Sequence, residues 1–186
     1  MLRTASRRGG LAVVVATLLL TAGCGGSSQP DAVQPLEPVV PADLCATVPA
    51  ELREGLIMNA NNSETGNPTA ACSMRSEDDA KTKVRAVVTW VQLNEEYSAD
   101  EVLDSQCRAI DPQEFRMQDG FSVKGANRAC AGSGTVKGAD SASMAALSDR
   151  EVITVRLDYE PKGEQSAMTA GKQMLEGVLE TLSGKS

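Results

Sequence analysis

Five cysteines are spread along this chain of 186 residues, and their positions restrict its fold more than any other feature. The first, Cys24, stands at the end of an apolar run, and the other four follow in the rest of the sequence: Cys45, Cys72, Cys107 and Cys130. In an exported protein, an even number of cysteines typically forms disulfides that brace a small domain. The fold therefore depends on whether the chain leaves the cytoplasm.

The first 23 residues have the layout of an export signal. Arg3, Arg7 and Arg8 form a basic start, and residues 11–20 (LAVVVATLLL) form an apolar core. Ten residues of helix span about 15 Å, half of a bilayer's hydrocarbon core, which is too short for a transmembrane anchor. We predict a secretory signal peptide over residues 1–23. The sequence does not decide between Sec and twin-arginine export. The pair Arg7-Arg8 is a feature of twin-arginine signals.

The end of this segment, Thr21-Ala22-Gly23-Cys24, resembles a bacterial lipobox. In that motif small side chains let the peptidase approach the backbone. The cysteine thiol receives a diacylglycerol and becomes the new N-terminus after cleavage. The resemblance implies a lipid on Cys24 that holds the protein at the extracytoplasmic face of the cell membrane. Two or more acyl chains are enough for stable anchoring.

Residues 24–41 are predicted to form a flexible tether. The segment after Cys24 (GGSSQPDAVQPLEPVVP) is rich in glycine, serine and proline and has no apolar periodicity. At about 3 Å per residue, it would hold a domain up to roughly 50 Å from the membrane. The remaining residues, 42–186, are enough for one globular domain with a real core.

With Cys24 assigned to lipid, the four remaining cysteines are predicted to form two disulfides. Three connectivities are possible, and the sequence alone does not choose among them. We favour Cys45–Cys72 and Cys107–Cys130, because each closes a short loop between neighbouring elements. A metal site is the rival interpretation. The sequence has no CxxC pair and no histidine, so we expect no metal.

The first half of the domain shows short helices followed by a long strand. Residues 41–58 carry leucine and valine four apart, which predicts one or two short helices, and residues 59–70 are predicted to be a polar loop. Residues 83–93 (KVRAVVTWVQL) are β-branched and apolar on both faces, as in a central strand. Residues 71–75 are its expected hairpin partner.

The second half continues with a helix, strands and a final helix. Residues 98–110 predict a helix that begins with a capping box at Ser98 and Glu101. Residues 120–124 and 128–132 are expected to be two short strands joined by a turn that contains glycine. Residues 143–147 and 152–159 predict a firmer antiparallel pair. Residues 164–182 show the apolar stripe of an amphipathic helix.

This order predicts an α+β domain. We expect a single, mainly antiparallel sheet with N-terminal short helices, a middle helix and a C-terminal amphipathic helix packed on it. The layout of the chain resembles that of small actinobacterial lipoproteins. The shared features are the lipobox, the tether, the early cysteine in DLCATVPAELREGL, the cysteine before the long strand and the final helix. The globular part of that family is a domain of unknown function. A weaker similarity is to PsbP-like lipoproteins, which also set an antiparallel sheet between helices. Neither resemblance implies catalytic residues.

The composition excludes several kinds of chemistry. The formal net charge is −7, and removal of the three signal arginines makes the mature chain more acidic, which argues against nucleic acid as a partner. The absence of histidine excludes Ser-His and Cys-His catalysis. Residues 132–138 (GSGTVKG) lack the spacing of a phosphate-binding loop and are expected to be a plain turn. The carboxylates of Glu77-Asp78-Asp79 and of Glu95-Glu96 are expected to be solvated.

Two functions of different classes remain. The first is a non-enzymatic binding or accessory module of the cell envelope, which binds a partner protein, an envelope component or a small apolar ligand. The second is an enzyme with carboxylate or Ser/Lys chemistry in an unrecognised arrangement. We favour the first, with no catalytic residue and no cofactor, because the common catalytic constellations are missing. Trp90, on a strand face, is expected to be a core residue and not a binding platform.

Overall fold

The computed structural model describes residues 40–64, 66–160 and 166–184. The predicted signal peptide, Cys24 and the tether up to residue 39 lie outside the described residues, as does the predicted start of the last helix at Glu164. Within these ranges, no helix combines the length and the apolar character needed to cross a membrane.

The described residues form an α+β domain, as predicted. The elements in chain order are a 3₁₀ helix (Leu44–Thr47), α1 (Ala50–Arg53), β1 (Leu56–Ser63), β2 (Thr69–Ser76), β3 (Lys83–Gln92), α2 (Ala99–Arg108), β4 (Arg116–Met117), β5 (Arg128–Val136), β6 (Ala139–Ser148), β7 (Glu151–Glu160) and α3 (Ala167–Ser183).

The seven strands form one open antiparallel sheet in the order β1-β2-β3-β7-β6-β5-β4. Short connections join β1 to β2 and β2 to β3, and two-residue connections join β5 to β6 and β6 to β7, so most of the sheet consists of hairpins. The last strand, β7, inserts between β3 and β6 and pairs with both over nearly its whole length. It therefore holds the two halves of the sheet together.

Each face of the sheet packs against a different helix, and we name the faces after these helices. On the α3 face, α3 covers β6 and β7 while the 3₁₀ helix packs on β1, β2 and β3. The main core lies there and includes the fully buried Trp90, Leu157 and Leu175. On the α2 face, α2 packs on β5, β6 and β7 around Leu103 and Leu147.

One disulfide fastens each of these layers. Cys45–Cys72 joins the 3₁₀ helix to β2 on the α3 face, and Cys107–Cys130 joins α2 to β5 on the α2 face. This is the connectivity favoured from the sequence. The bridges close loops with sequence separations of 27 and 23 residues. A disulfide over a loop of this size stabilises a fold by about 3 kcal/mol.

Several elements agree with their sequence patterns. The hairpin of β2 and β3 is present, and β3 lies inside the sheet. The predicted cap of α2 is formed, because the Ser98 hydroxyl accepts a hydrogen bond from the Glu101 backbone N–H at 3.4 Å. The apolar stripe of α3 is buried along Gly171, Leu175 and Val178.

The prediction of a loop over residues 59–70 is wrong. β1 runs from Leu56 to Ser63 and pairs residue by residue with β2, and the helical pattern ends at Arg53. Because β1 lies at the edge and is exposed on both sides, its sequence (LIMNANNS) shows no alternation of apolar and polar residues. A pattern-based prediction therefore has no signal to detect.

The predictions around residues 120–138 are also partly wrong. Residues 120–124 form no strand, although Val123 is buried, and the two-residue strand β4 pairs with β5 instead. β5 continues to Val136, so most of the glycine-rich segment 132–138 is strand. Only Lys137-Gly138 forms the turn, with positive φ values of 50° and 87° that suit a two-residue hairpin loop.

Candidate functional site

The α2 face of the sheet is left open over β1, β2 and β3. Strand register places Asn59 opposite Ser73, Ser73 opposite Val87 and Val87 opposite Arg156, so these side chains form one row on this face. All four are exposed, and Val87 retains 41% of its accessible area. We call this region the open surface, defined by eight exposed residues: Ile57, Asn59, Asn61, Ser73, Arg75, Arg85, Val87 and Arg156.

A shallow groove of about 300 Å³ runs between the open surface and the end of α2. Its wall contains Gln106, Ala109 and Ile110 from the end of α2 and the residues just after it, and its floor contains Val87 and Thr154. The Thr154 hydroxyl shares a 2.6 Å hydrogen bond with that of Thr89 across β7 and β3. The groove thus has an apolar side, formed by Val87, Ala109 and Ile110, and a polar part that carries the Thr154 hydroxyl.

Arg156 links this groove to a second, charged one of about 200 Å³. Its guanidinium lies 3.6 Å from a Glu114 carboxylate oxygen and 5.5 Å from the centre of the Phe115 ring. The ion pair and the ring contact hold the Arg156 side chain over the sheet. The charged groove is also lined by Lys83, Arg85, Lys137, Asp158 and Glu160.

The charged groove contains a polar group that is buried without a partner. Oδ1 of Asp158 is buried, and no described residue donates a hydrogen bond to it. Arg85 stands opposite Asp158 in the sheet but makes no ion pair with a described carboxylate. An unpaired buried acceptor costs roughly 1–3 kcal/mol, and rotation of the carboxyl group toward a donor on a bound partner would recover that cost.

The wall of the grooves rests directly on β5 because two residues of that strand are glycine. A Cβ on Gly132 would lie 2.9 Å from side-chain atoms of Ile110 and Phe115, and one on Gly134 would lie 2.1 Å from the Glu114 carbonyl oxygen. The segment 110–115 therefore needs both glycines in order to pack. This close approach gives the glycine-rich stretch a structural role in place of the expected turn.

Among the described residues, three ionisable groups have clearly shifted pKa values, and they lie apart from both grooves. Hydrogen bonds to Asp100 and Asp104, at 2.6 and 2.8 Å, raise the pKa of Arg128 at the start of β5. Burial raises the pKa of Tyr159. Burial also raises the pKa of Glu151, against an opposing effect of the Trp90 indole N–H. Groups with shifted pKa values that converge in a cleft are the usual sign of catalysis.

The structure also locates the other residues singled out from the sequence. Trp90 is fully buried in the core, as predicted. No described residue accepts a hydrogen bond from its indole nitrogen in good geometry, so its effect on Glu151 is electrostatic. Asp78 is exposed and lies 3.6 Å from Arg75, and Glu95-Glu96 is exposed before α2. Across the described ranges, no three Cys, Asp or Glu side chains are grouped so that they could hold a metal ion.

The open surface itself was not predicted from the sequence. Apolar and polar residues alternate in β7, so Arg156 and Asp158 share the polar face of that strand. This alternation did not indicate which residues lie beside them, because those neighbours depend on the insertion of β7 between β3 and β6.

A scan against protein-family models and searches of curated proteins and of solved structures found no match to this chain.

Proposed function

We propose that this protein is a lipoprotein of the cell envelope that is anchored through a lipid on Cys24 and binds a segment of a partner protein on its open surface. The export signal and the lipobox support the anchor. The two disulfides support an oxidising compartment outside the cytoplasm. In this proposal the domain is a non-enzymatic binding or accessory module.

The observation that carries the binding proposal is the asymmetry of the two sheet faces. The α3 face is covered along β1–β3 by the 3₁₀ helix and a disulfide, whereas the same strands on the α2 face expose Asn59, Ser73 and Val87. Antiparallel sheets often leave one face to solvent, but such a face then carries mainly charged and polar residues. The open surface is also mainly polar, but two of its eight residues, Ile57 and Val87, are large and apolar and expose 44% and 41% of their accessible area.

A polypeptide suits this surface better than a small molecule does. The grooves of about 300 and 200 Å³ are at or below the small end of small-molecule sites. A peptide segment supplies backbone N–H groups for the Asp158 carboxylate and carbonyl or carboxylate oxygens for Arg85. Its apolar side chains would pack on Val87.

A small apolar ligand is the second candidate. It is favoured by one observation, the apolar side of the larger groove formed by Val87, Ala109 and Ile110. Such a ligand would leave Asp158 and Arg85 without partners, which makes the polypeptide the stronger proposal.

Site-specific photocross-linking in intact membranes tests the proposal. A photoreactive side chain at Val87 of the full chain is expected to form one dominant protein adduct. The same group at Thr169, exposed on α3, is the matched control and is expected to form none. The added variant Arg85→Glu should lower the adduct yield at position 87 at least tenfold, since it reverses the charge that faces the partner.

The alternatives give different results in the same experiment. An adduct of lipid mass at position 87 would favour the apolar ligand. Equal adducts at positions 87 and 169, or none at position 87, would contradict binding at the open surface.

A further inference from the structure

β1 is the one long open edge among the described strands. It pairs with β2, and no described residue hydrogen-bonds through its backbone to the outer side of Leu56–Asn62. The opposite edge of the sheet is β4, which is two residues long. Strand edges of this length present unpaired N–H and C=O groups that readily pair with another strand.

β1 also lacks the features that normally keep an edge from pairing. Its sequence contains no charged residue, no proline and no glycine. Its register with β2 runs without a break, so no bulge twists the edge away. Ile57 and Met58 expose 44% and 42% of their accessible area on opposite faces. Natural sheets that stay monomeric usually protect such an edge by at least one of these means.

We propose that β1 is the interface of a homodimer, in which the β1 strands of two copies pair antiparallel across a two-fold axis. The tether is a poor alternative occupant. Prolines at positions 30, 35, 38 and 41 leave runs of at most four donating residues after position 30, and the longest run of the tether, residues 24–29 next to the lipid, is still shorter than the open edge of about seven residues.

A second copy is a suitable partner because the strand is self-complementary. The chain carries a formal charge of −7, so two copies repel each other on average, whereas β1 itself is uncharged. At its centre, Asn59 and Asn61 point to one face, where their amides can hydrogen-bond to those of the other copy. At each end, Glu64 of one copy would lie near Arg53 and Glu54 of the other, and Arg53 offsets the two carboxylates.

The arrangement closes after two copies. Antiparallel pairing of identical edges is an isologous contact, and the short β4 edge gives no second site for growth, so a dimer forms and not a fibre. The pairing of one strand buries less than the roughly 800 Å² per partner of a standard stable interface. The dimer should therefore be reversible and depend on concentration.

Sedimentation equilibrium of the full chain in density-matched detergent tests this inference. The wild type should approach the mass of two copies as its concentration rises. Asn59→Lys places like charges across the two-fold axis and should weaken the dimer at least tenfold. Ser73→Lys adds the same charge in the same row of the same face, but on the inner strand β2, and should change the association less than twofold.

Disulfide trapping gives a second, independent readout. Under mild oxidation, Asn59→Cys should give a covalent dimer, because the two cysteines face each other across the two-fold axis, and Ser73→Cys should not. The inference would be overturned if the wild type stayed monomeric over the whole concentration range and the Asn59→Cys variant gave no trapped dimer. It would also be overturned if Ser73→Lys weakened association as strongly as Asn59→Lys, or if β1 cysteines trapped a different protein.

Discussion

Gly134 of β5 lies so close beneath Glu114 that a Cβ on the glycine would be 2.1 Å from the Glu114 carbonyl oxygen. Real contacts between a Cβ and an oxygen are not this short, so the backbone of residues 111–115 can occupy this position only above a glycine. The same segment carries Glu114 and Phe115, which hold Arg156 at the junction of the two grooves. A strand glycine therefore positions a side chain of the candidate binding surface.

Gly134→Ala should consequently destabilise the domain by about 3 kcal/mol, because the atom that the new methyl group meets is backbone and cannot rotate away. Thr135→Ala is the matched control on the next, exposed position of the same strand and should stay within about 0.5 kcal/mol of the wild type. Urea unfolding followed by circular dichroism measures both. Equal stability of the two variants would contradict the packing described for segment 110–115.

The start of α3 is capped by a residue from β6. The Asp140 carboxylate accepts a hydrogen bond from the Ala167 backbone N–H at 2.8 Å, while Ser166, at the N-cap position, makes no capping bond with its side chain. We expect Asp140→Ala to lower the free energy of unfolding by about 1 kcal/mol, as the loss of a helix cap typically does. Ser166→Ala should lower it much less. Thermal unfolding of the two variants checks this order, and the reverse order would show that Ser166 is the working cap.

Glu151 should make stability depend on pH in the direction opposite to most carboxylates. Burial raises its pKa in the folded state, so its favourable contribution is complete below the unfolded-state pKa and is lost as the pH rises through the folded-state pKa. We expect Glu151→Gln to be more stable than the wild type at pH 7 and equal to it at low pH, where the glutamate is protonated in both states. Urea midpoints at the two pH values test this, and a gain that persisted unchanged at low pH would exclude the charge as its cause.

The two disulfides differ in accessibility and should differ in reactivity. Cys45 and Cys72 retain 3% and 0% of their accessible area, whereas Cys107 and Cys130 are only partly buried. Thiol reductant under native conditions should therefore open Cys107–Cys130 first, since an attacking thiolate must reach the sulfur. Timed alkylation with peptide mapping shows the order. Simultaneous opening would mean that reduction requires unfolding of the whole domain.

The fold was predictable where one face of an element is buried. The alternation in β7 and the stripe of α3 arise because Leu157 and Leu175 face the core while their neighbours face water. β1 escaped prediction because it buries almost nothing, and Asn59 and Asn61 are poor strand formers that only the pairing with β2 holds extended. The interpretation of residues 132–138 as a turn failed because their glycines serve a close approach from a segment distant in sequence.

The candidate surface depends on relationships that no single segment encodes. The position of Val87 on a strand face was predicted from the pattern of β3. That this face would stay uncovered depends on α2 packing farther along the sheet, over Leu147 and its neighbours. The position of Arg85 opposite Asp158 in the sheet depends on the long stretch of chain between β3 and β7, which brings the two strands side by side.

The most direct test of the proposal as a whole is the intact mass of the mature protein from native membranes, measured with and without reduction and thiol alkylation. We predict a chain that begins at a diacylglycerol-modified Cys24 and gains four alkyl groups only after reduction. A chain without lipid at Cys24, or one that is alkylated before reduction, would contradict the proposal of a disulfide-braced lipoprotein held outside the cytoplasm.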